Sequence, residues 1–546
     1  MKIAINSKTV LFLFLAGLTL LSGCKEEEIY PRTRLFQPVL NEDLYSVDNT
    51  IIVNMGKMTD AISYKIEVSR DSFATVLYTV ESDTNFVVLN EETVGEELLW
   101  FTIYQVQATA YADEEKYNSL PSFLGSIRTQ KFPSNMGVPT FFDILDTRAR
   151  VFWTEAGEPI TGIKVFAITD ERLETPLLEF TLTQADTDSL EYIVSGLEPS
   201  TTYQIAIYSD GVLRGWEIYT TRPPLVSGDN VVDLTGIDSM DISLAYRLAD
   251  VADGSIVILE GGKTYWAKGY AFDKSIDFIS GYSFVPALPY IDCSTNFNFK
   301  DGSTVDHVTF KDIKLSASDG GFAGRYVFNV DISATVGEIK FESCQIRLLR
   351  GIARMKGGTG SLDKFTITDC VIDSIKDYGI LSVDVNTWIC NDILVENSTI
   401  SKAVTVFTSR NNSNTVTLDG CTIHEAPEYN RPIFRWREVG QDNVLNGITI
   451  SNTIWGHGWD LTLLGVYVDG YDGLATTNWN IVNTYASSEF GWATGKEAIP
   501  GFPNFTYSGL VTELWTDPFN SVFDFLDTGF SGKSDSGDPR WRIGLR

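Results

Sequence analysis

Apolar and polar positions in the second half of the chain follow one pattern that repeats from residue 305 onward. Each copy has a strand-like run, a polar turn and a second short apolar run; the copies are residues 307–315, 339–346, 365–372, 393–400, 416–423 and 448–455, with a weaker one at 480–485. The equivalent positions Phe310, Phe341, Ile367, Val395, Leu418, Ile450 and Ile481 are 23 to 32 residues apart. Such a period is typical of solenoids in which each copy forms one coil. The pattern predicts a right-handed parallel β-helix, with coils stacked about 4.8 Å apart.

The first half of the chain has shorter alternating segments separated by turn residues. Residues 51–53, 61–68 and 103–108 are β-rich, which predicts a β-sandwich over residues 32–130. A second unit of the same kind is expected at 134–222. Its segment Leu197-x-Pro199-x-Thr201-x-Tyr203 resembles the fibronectin type III signature. The resemblance implies two fibronectin-III-like modules ahead of the repeat.

The segment before the repeat resembles the opening of pectate-lyase-like β-helices. Residues 245–252 read as a short helix, which in that family caps the open end of the core, and residues 253–265 read as the first strand and its turn. The resemblance covers residues 228–490 and implies an all-β chain: two sandwiches followed by the parallel β-helix. Residues 491–546 are expected to form a C-terminal cap, with the turn at 537–541 on the last coil. This tail resembles the end of β-helix lipoproteins encoded with bacterial polysaccharide-utilisation systems.

The N-terminus has the parts of a secretory leader. Basic Lys2 and Lys8 precede an apolar run at 10–16, which is too short to span a membrane. Leu21-Ser22-Gly23-Cys24 resembles a bacterial lipobox, which implies a signal peptide at 1–23 and an acylated Cys24; an ordinary leader with an incidental cysteine is the alternative. The acidic stretch at 24–31 looks like the export tag of Bacteroidetes-type surface lipoproteins. We expect a lipid anchor in the outer membrane, with the protein facing the cell exterior.

Charge and composition exclude several functions. A net charge of −30 would repel nucleic acid. The three histidines include no HExxH pair, which disfavours a zinc site or a Ser-His-Asp triad. Five cysteines follow Cys24, an odd number that argues against a disulfide framework. Cys344, Cys370 and Cys421 share one repeat position and are expected to form a buried internal ladder.

The strand after each repeat predicts a local basic strip on this acidic protein. If Met355, Val383, Phe407 and Trp436 point inward, the two-residue period of a strand turns their neighbours outward. These neighbours are Arg354, Lys356, Ser382, Asp384, Thr408, Arg435 and Arg437, with Arg410 beside them. Such a strip suits the carboxylates of an acidic glycan, although solvated residues paired with nearby acids would give the same pattern.

The sequence leaves three functions open. The first is a surface lipoprotein that binds an acidic, uronate-containing polysaccharide through Arg410, Arg437, Trp388 and Trp459, in company with outer-membrane glycan importer proteins. The second is a polysaccharide lyase in which Lys356, Arg354 and Arg435 supply the base and neutralise charge, and Asp384 holds calcium. The third is a structural or adhesive rod. A polygalacturonase-like glycosidase would need an Asp pair, then Gly-His-Gly, then Arg-x-Lys along the chain. Here Arg354-Met355-Lys356 comes before Gly456-His457-Gly458 and the chain has no Asp-Asp pair, which excludes this class.

Overall fold

The computed structural model describes residues 32–237, 241–318 and 324–543, so the predicted leader and Cys24 lie outside the described residues. The chain divides into two compact units, one formed by residues 32–137, 152–190 and 203–218 and the other by 138–151, 191–202 and 219–543. Both are built almost entirely of strands. Within the described ranges, no helix is long and apolar enough to cross a membrane.

The first seven strands form an antiparallel sandwich in the first unit. One sheet has the order β1-β2-β5 and the other β4-β3-β6-β7. Alternating apolar residues such as Ile66, Val68 and Val106 are fully buried between the sheets. The strands are β1 (Tyr45–Val47), β2 (Thr50–Asn54), β3 (Ser63–Ser69), β4 (Tyr78–Ser82), β5 (Phe86–Leu89), β6 (Ile103–Tyr111) and β7 (Ser122–Arg128), with helices α1 (Glu91–Val94) and η1 (Glu115–Tyr117).

The next six strands are also antiparallel, and the fibronectin-III-like fold predicted for both modules is confirmed. The first unit holds the sheet β10-β9-β12-β13, and the second unit holds the pair β11-β8. Tyr203, at the start of β12, is buried. The strands are β8 (Arg148–Phe152), β9 (Gly162–Ala167), β10 (Leu178–Thr181), β11 (Glu191–Ser195), β12 (Thr202–Ser209) and β13 (Val212–Thr220), with helices η2 (Phe141–Asp143) and α2 (Gln184–Ser189).

The remaining strands build a parallel β-solenoid, as the repeat predicted. Its long strands lie in a ten-stranded and a fifteen-stranded sheet, and each strand pairs with its counterpart in the next coil. The strands are β14 (Val231–Asp233), β15 (Asp241–Ser243), β16 (Ser255–Leu259), β17 (Thr264–Trp266), β18 (Ala271–Phe272), β19 (Ile276–Ser280), β20 (Tyr290–Asp292), β21 (Asn298–Phe299), β22 (Ser303–Lys311), β23 (Lys314–Ser316), β24 (Tyr326–Val330), β25 (Ala334–Glu342), β26 (Gln345–Met355), β27 (Gly360–Thr368), β28 (Val371–Val383), β29 (Trp388–Glu396), β30 (Thr399–Ala403), β31 (Phe407–Ser409), β32 (Thr415–Asp419), β33 (Thr422–His424), β34 (Pro432–Trp436), β35 (Ile448–Ser451), β36 (Ile454–Trp455), β37 (Asp469–Asp472), β38 (Trp479–Val482), β39 (Tyr485–Ala486) and β40 (Phe505–Thr506).

The predicted equivalence of the repeats is confirmed by the register of the ten-stranded sheet. Phe310 pairs with Phe341, and the same register continues through every predicted position to Ile481. The rings of Phe310 and Phe341 stack with centroids 5.3 Å apart. One earlier coil belongs to the same column, because Phe278 pairs with Phe310 in register.

A left-handed residue turns the chain between the two large sheets in each of seven coils. This residue stands two positions after each equivalent apolar residue and has φ between 50° and 62°: Asp312, Ser343, Asp369, Asn397, Gly420, Asn452 and Asn483. Glycine, asparagine and aspartate adopt this conformation more readily than other residues. The corner therefore explains why polar turn residues recur in the sequence at this point.

The residues that directly follow these left-handed residues stack from coil to coil and form the predicted internal ladder. The backbone N–H of Cys344 donates to the Cys370 Sγ at 3.3 Å, and that of Cys370 donates to the Ser398 Oγ at 3.0 Å. All five described cysteines are free and buried. Burial raises the pKa of the Cys344 and Cys421 thiols, which keeps them protonated and unreactive.

The helix predicted at 245–252 is shorter and begins earlier. Helix α3 covers only Leu244–Arg247, with the Ser243 side chain at its N-cap. Leu244 and Leu248 are fully buried in the solenoid core. The helix ends because Leu248 leaves helical geometry, with φ of −96° and ψ of 0°, and Val251 beyond it still packs against the core.

The C-terminal residues 511–543, called the clasp below, lie along the side of the solenoid. They contain α4 (Val511–Leu514), β41 (Trp515–Asp517), η3 (Pro518–Asn520), β42 (Val522–Phe525) and η4 (Pro539–Trp541). Asp538 and Trp541 both bond to the Thr399 Oγ1, at 2.7 and 2.8 Å, and an Arg540 Nη donates to the Asp369 carbonyl at 2.7 Å. The turn at 537–541 therefore bonds to the third to sixth of the seven repeat copies, through Asp369, Thr399, Thr422 and Asn452, and not to the last one as predicted.

Candidate functional site

The predicted basic strip lies on β26, β28, β31 and β34, which stack in successive coils. Arg354, Ser382, Thr408 and Arg435 occupy one register position from coil to coil. The residues expected to point inward, Met355, Val383, Phe407 and Trp436, are all buried. Two residues of the predicted outward set, Ser382 and Thr408, are buried as well, at 2% and 8% exposure, because they lie in the wall of a pocket. The solenoid thus places side chains that are far apart in sequence on one outward column.

The strip borders a shallow pocket of about 220 Å³. Four arginines and two aspartates line it, together with hydroxyl and aromatic side chains: Arg350, Asp377, Tyr378, Ser382, Asp384, Thr405, Thr408, Arg431, Pro432, Arg435 and Arg437. The wall is polar and cationic rather than apolar. Its chemistry suits a small anionic or hydroxyl-rich group.

Asp384 is held between two guanidinium groups. An Arg354 Nη donates to one carboxylate oxygen at 2.5 Å, and an Arg437 Nη donates to the other. These three side chains are 17–24% exposed. Two adjacent cations oppose the binding of a third, so the geometry disfavours Asp384 as the predicted calcium ligand. Among the described residues, no group of three or more His, Cys, Asp or Glu side chains could hold a metal ion.

The other predicted basic residues each have one acidic partner. Lys356 lies 3.3 Å from Asp331, and Arg435 and Arg410 lie 3.1 Å from acidic oxygens. The Arg435 and Arg410 side chains are 39% and 36% exposed. Exposed pairs of this kind contribute only about 0–1 kcal/mol, so an anionic ligand can compete for these cations.

Arg437 lies close enough to Arg410 and Arg435 to be repelled by them despite these pairs. Burial and the neighbouring Arg410 and Arg435 lower the pKa of Arg437 from its ordinary value, against the opposing effect of Asp384. The Nε atoms of Arg354 and Arg437 are buried without a hydrogen-bond partner in the described structure. An anionic group at this point would relieve the repulsion among the arginines.

The predicted strip lacks six residues of the pocket lining: Arg350, Asp377, Tyr378, Thr405, Arg431 and Pro432. The Arg354 guanidinium lies 3.7 Å from the centroid of the Tyr378 ring, and that of Arg350 lies 4.9 Å from it. A register shift between Leu349 and Gly351 interrupts the two-residue alternation just before the strip. The alternation rule therefore could not be extended back to Arg350. A glycine two residues after Asp377, with φ of 62°, is the sequence signal that marks the matching bend on β28.

The two tryptophans predicted to bind glycan differ in exposure. Trp388 is fully buried and its Nε1 donates to the Gly357 carbonyl at 2.8 Å, so its prediction as an exposed binding residue is wrong. Its indole fills the space over Gly360, where a Cβ would lie 2.6 Å from the ring. Trp459 is half-buried and stands at the base of a loop next to the pocket.

The family described as Domain of unknown function (DUF4957) matches residues 286–403 of this chain. This segment includes β26 and β28 and ends before β31 and β34. The match therefore covers about half of the strip. None of the curated proteins compared with the chain matches it.

Solved structures with similarity to this chain include fibronectin III arrays. The chicken CNTN1 FN1-FN3 domains are 14% identical, with a TM-score of 0.15, over 35% of this chain and 68% of that one. The central Fibronectin-III array of RIM-binding protein is 11% identical, with a TM-score of 0.13, over 35% of this chain and 64% of that one. No function is transferred from either protein.

Proposed function

We propose that this protein is a cell-surface lipoprotein that binds an acidic, uronate-containing polysaccharide for glycan utilisation. The supporting observation is the arginine-rich pocket on β28, β31 and β34 of a chain whose net charge is −30. Guanidinium groups offer paired N–H donors that match a carboxylate. Selection of an anion by a basic site on an otherwise repulsive surface gives specificity as well as affinity.

The shape of the site also supports binding of a long polymer. Strands of successive coils lie about 4.8 Å apart, so outward residues recur along the solenoid axis. Arg410 and Arg437 follow one another in this way: the Arg410 N–H bonds to the Val383 carbonyl and the Arg437 N–H to the Ser409 carbonyl. A chain of uronate residues that follows the axis can place successive carboxylates beside successive coils.

Binding is favoured over cleavage by the ion pairs of the strip. A lyase base must lie within hydrogen-bond reach of the proton it removes and must be free to accept it. Arg354, Arg435 and Lys356 instead lie against Asp384, Asp472 and Asp331. Incubation with polyuronates and calcium tests this directly, since a rise in ultraviolet absorbance from unsaturated uronide ends would establish a lyase.

Affinity electrophoresis tests the binding proposal. We expect the full chain to be retarded in gels that contain polygalacturonate or alginate but not in gels that contain dextran, and the retardation to weaken with salt. Arg435→Gln should lower the affinity about tenfold, as for loss of one charge-assisted contact. Arg347→Gln is the matched control, because Arg347 lies on β26, is 48% exposed and has one long pair, 3.8 Å from Asp373. Equal affinity of the two variants, or no retardation by any uronate polymer, would favour the rod alternative.

The anchor is a separate part of the proposal. Cys24→Ser should move the protein from the membrane fraction to the soluble fraction, while the wild type should be digested by protease added to intact cells. Outer-membrane glycan importer proteins are the expected partners. Wild-type protein that stays out of the membrane fraction, or that intact cells protect, would contradict the proposed location.

A further inference from the structure

A loop of four exposed apolar side chains stands beside the basic pocket. In residues 460–467, Leu463 is 86% exposed, Leu464 68%, Tyr467 51% and Leu461 43%. Single exposed apolar residues are ordinary on protein surfaces, but a run of four within one loop indicates contact with something apolar.

The backbone fixes this loop next to the pocket. The Asn430 N–H donates to the Tyr467 carbonyl at 2.9 Å, and the Asp469 N–H donates to the carbonyl of Arg431, which lines the pocket, also at 2.9 Å. The loop therefore belongs to the coil that follows the turn carrying Arg431.

Internal bonds give the loop a defined shape. The Gly465 N–H donates to the Asp460 Oδ1 at 2.8 Å, and the Gly458 N–H donates to the Val466 carbonyl at 3.0 Å. A Cβ at Gly465 would lie 3.3 Å from the Tyr429 ring, so the loop backbone packs on that ring. The leucines thus project from a supported turn.

We infer that residues 460–467 contact O-acyl groups on the acidic glycan that occupies the pocket, an inference that rests on the proposed function. The sugar acid would bind at Arg435, which is 39% exposed and lies one coil away from the loop, whereas Arg431 is already paired with Glu428 at 2.8 Å. An unsubstituted uronate chain offers hydroxyl groups, which give the leucines no apolar partner. An O-acyl substituent keeps the carboxylate for the arginines and supplies an apolar group for Leu463 and Leu464.

A matched pair of polymers tests the inference. Bacterial O-acetylated alginate and the same sample after mild alkaline removal of its acetyl groups differ only in the apolar substituent. We expect the full chain to bind the acetylated form about three- to tenfold more tightly, the effect of burying one or two methyl-sized groups. The double variant Leu463→Ser, Leu464→Ser should bind both forms equally. Its matched control is Leu177→Ser, Leu526→Ser, which removes two leucines that are 54% and 58% exposed.

Each outcome is decisive. Equal binding of both polymers by the wild type, or a preference that survives in the Leu463→Ser, Leu464→Ser variant, overturns the inference and leaves the proposed function standing. Binding of both polymers that is about tenfold weaker in Arg435→Gln, with the preference intact in the Leu177→Ser, Leu526→Ser control, supports it. No binding of either polymer counts against the proposed function and the inference together. Binding of phosphatidylcholine vesicles that depends on Leu463 and Leu464 would assign the loop to lipid and overturn the inference.

Discussion

The fifteen-stranded sheet carries two columns of outward-facing residues: the clasp covers one, and the other lines the basic pocket. On β30 and β33, the clasp covers Thr399, Ser401, Thr422 and His424, which are at most 2% exposed. On β28, β31 and β34, called the open column, the outward residues line the basic pocket: Arg435 is 39% exposed, whereas Ser382 and Thr408 are at most 8% exposed. The backbone is the same in both columns, so the difference comes from the side chains. The hydroxyl groups of Thr399 and Ser401 bond to the clasp, whereas the arginines beside the pocket pair with acidic side chains.

The largest expected effect is on the covered column. Trp515 is fully buried in the clasp and packs against Phe523, with ring centroids 5.0 Å apart. Trp515→Ala should destabilise the clasp by about 3–5 kcal/mol, as buried tryptophan truncations do. Limited proteolysis with mass spectrometry should show cleavage within residues 511–543 while the solenoid stays intact. Leu526→Ala, at a residue that is 58% exposed, is the control and should leave the cleavage pattern unchanged.

The second effect is a pH dependence of the free energy of unfolding, and it arises from His424 in the covered column. His424 is fully buried, its ring centroid is 4.5 Å from that of His457, and neither of its ring nitrogens has a hydrogen-bond partner in the described structure. Burial, His457 and Lys402 lower the pKa of His424. The unfolded state therefore binds more protons below pH about 6.5, and stability should fall by up to about 1.4 kcal/mol per pH unit as the pH drops.

Glu425 gives the free energy of unfolding the opposite pH dependence, so the effect of His424 is best measured in a variant without this carboxyl group. Burial raises the pKa of Glu425 to about 7, against Lys402 and with help from Asp373. Between pH about 4.5 and 7, Glu425 is protonated more often in the folded protein than in the unfolded chain. Its contribution to stability therefore falls as the pH rises through that window. Glu425→Gln should make urea stability decline more steeply on acidification. Adding His424→Phe should flatten the profile, and a profile that keeps its slope would refute the assignment.

The third effect is a loss of affinity for polyuronate when an arginine of the open column is replaced. Arg437→Gln should weaken polyuronate binding about tenfold, because one charge-assisted contact is lost. Isothermal titration with polygalacturonate measures the change, and the melting temperature should stay nearly constant. Arg347→Gln again serves as the comparison. A large loss of thermal stability in Arg437→Gln would mean that the pocket is a structural ion-pair network.

The smallest expected effect is the change in the free energy of unfolding when one ion pair of the open column is broken. Glu438→Gln removes the partner that Arg410 holds at 3.1 Å. Because both side chains are about one-third exposed, the free energy of unfolding should change by about 0–1 kcal/mol. The affinity for polyanions should increase slightly, since a competing carboxylate is gone. A change above 2 kcal/mol would show that the open column is held together as firmly as the covered one.

The sequence predicted what depends on local periodicity and failed where distant segments meet. The coil repeat and the outward side of Arg354 and Arg435 follow from strand alternation, and the register confirms them. Trp388 was misassigned because alternation does not reveal that Gly360 leaves space for an indole. The site of the clasp could not be predicted, because the hydrogen bond from Thr399 to Asp538 joins residues 139 positions apart.

The clasp also orders the assembly of the molecule in time. Its partners on β30 and β33 must already stand side by side before Asp538 and Trp541 can bond to them. A closure over 139 residues costs only about 1.4 kcal/mol more loop entropy than a coil-to-coil pairing over about thirty residues, but it can form only after those pairings have placed β30 beside β33. Until the clasp closes, the Thr399 side of the solenoid stays exposed to solvent. A variant that lacks residues 511–543 would therefore keep the hydroxyl groups of Thr399, Ser401 and Thr422 in water.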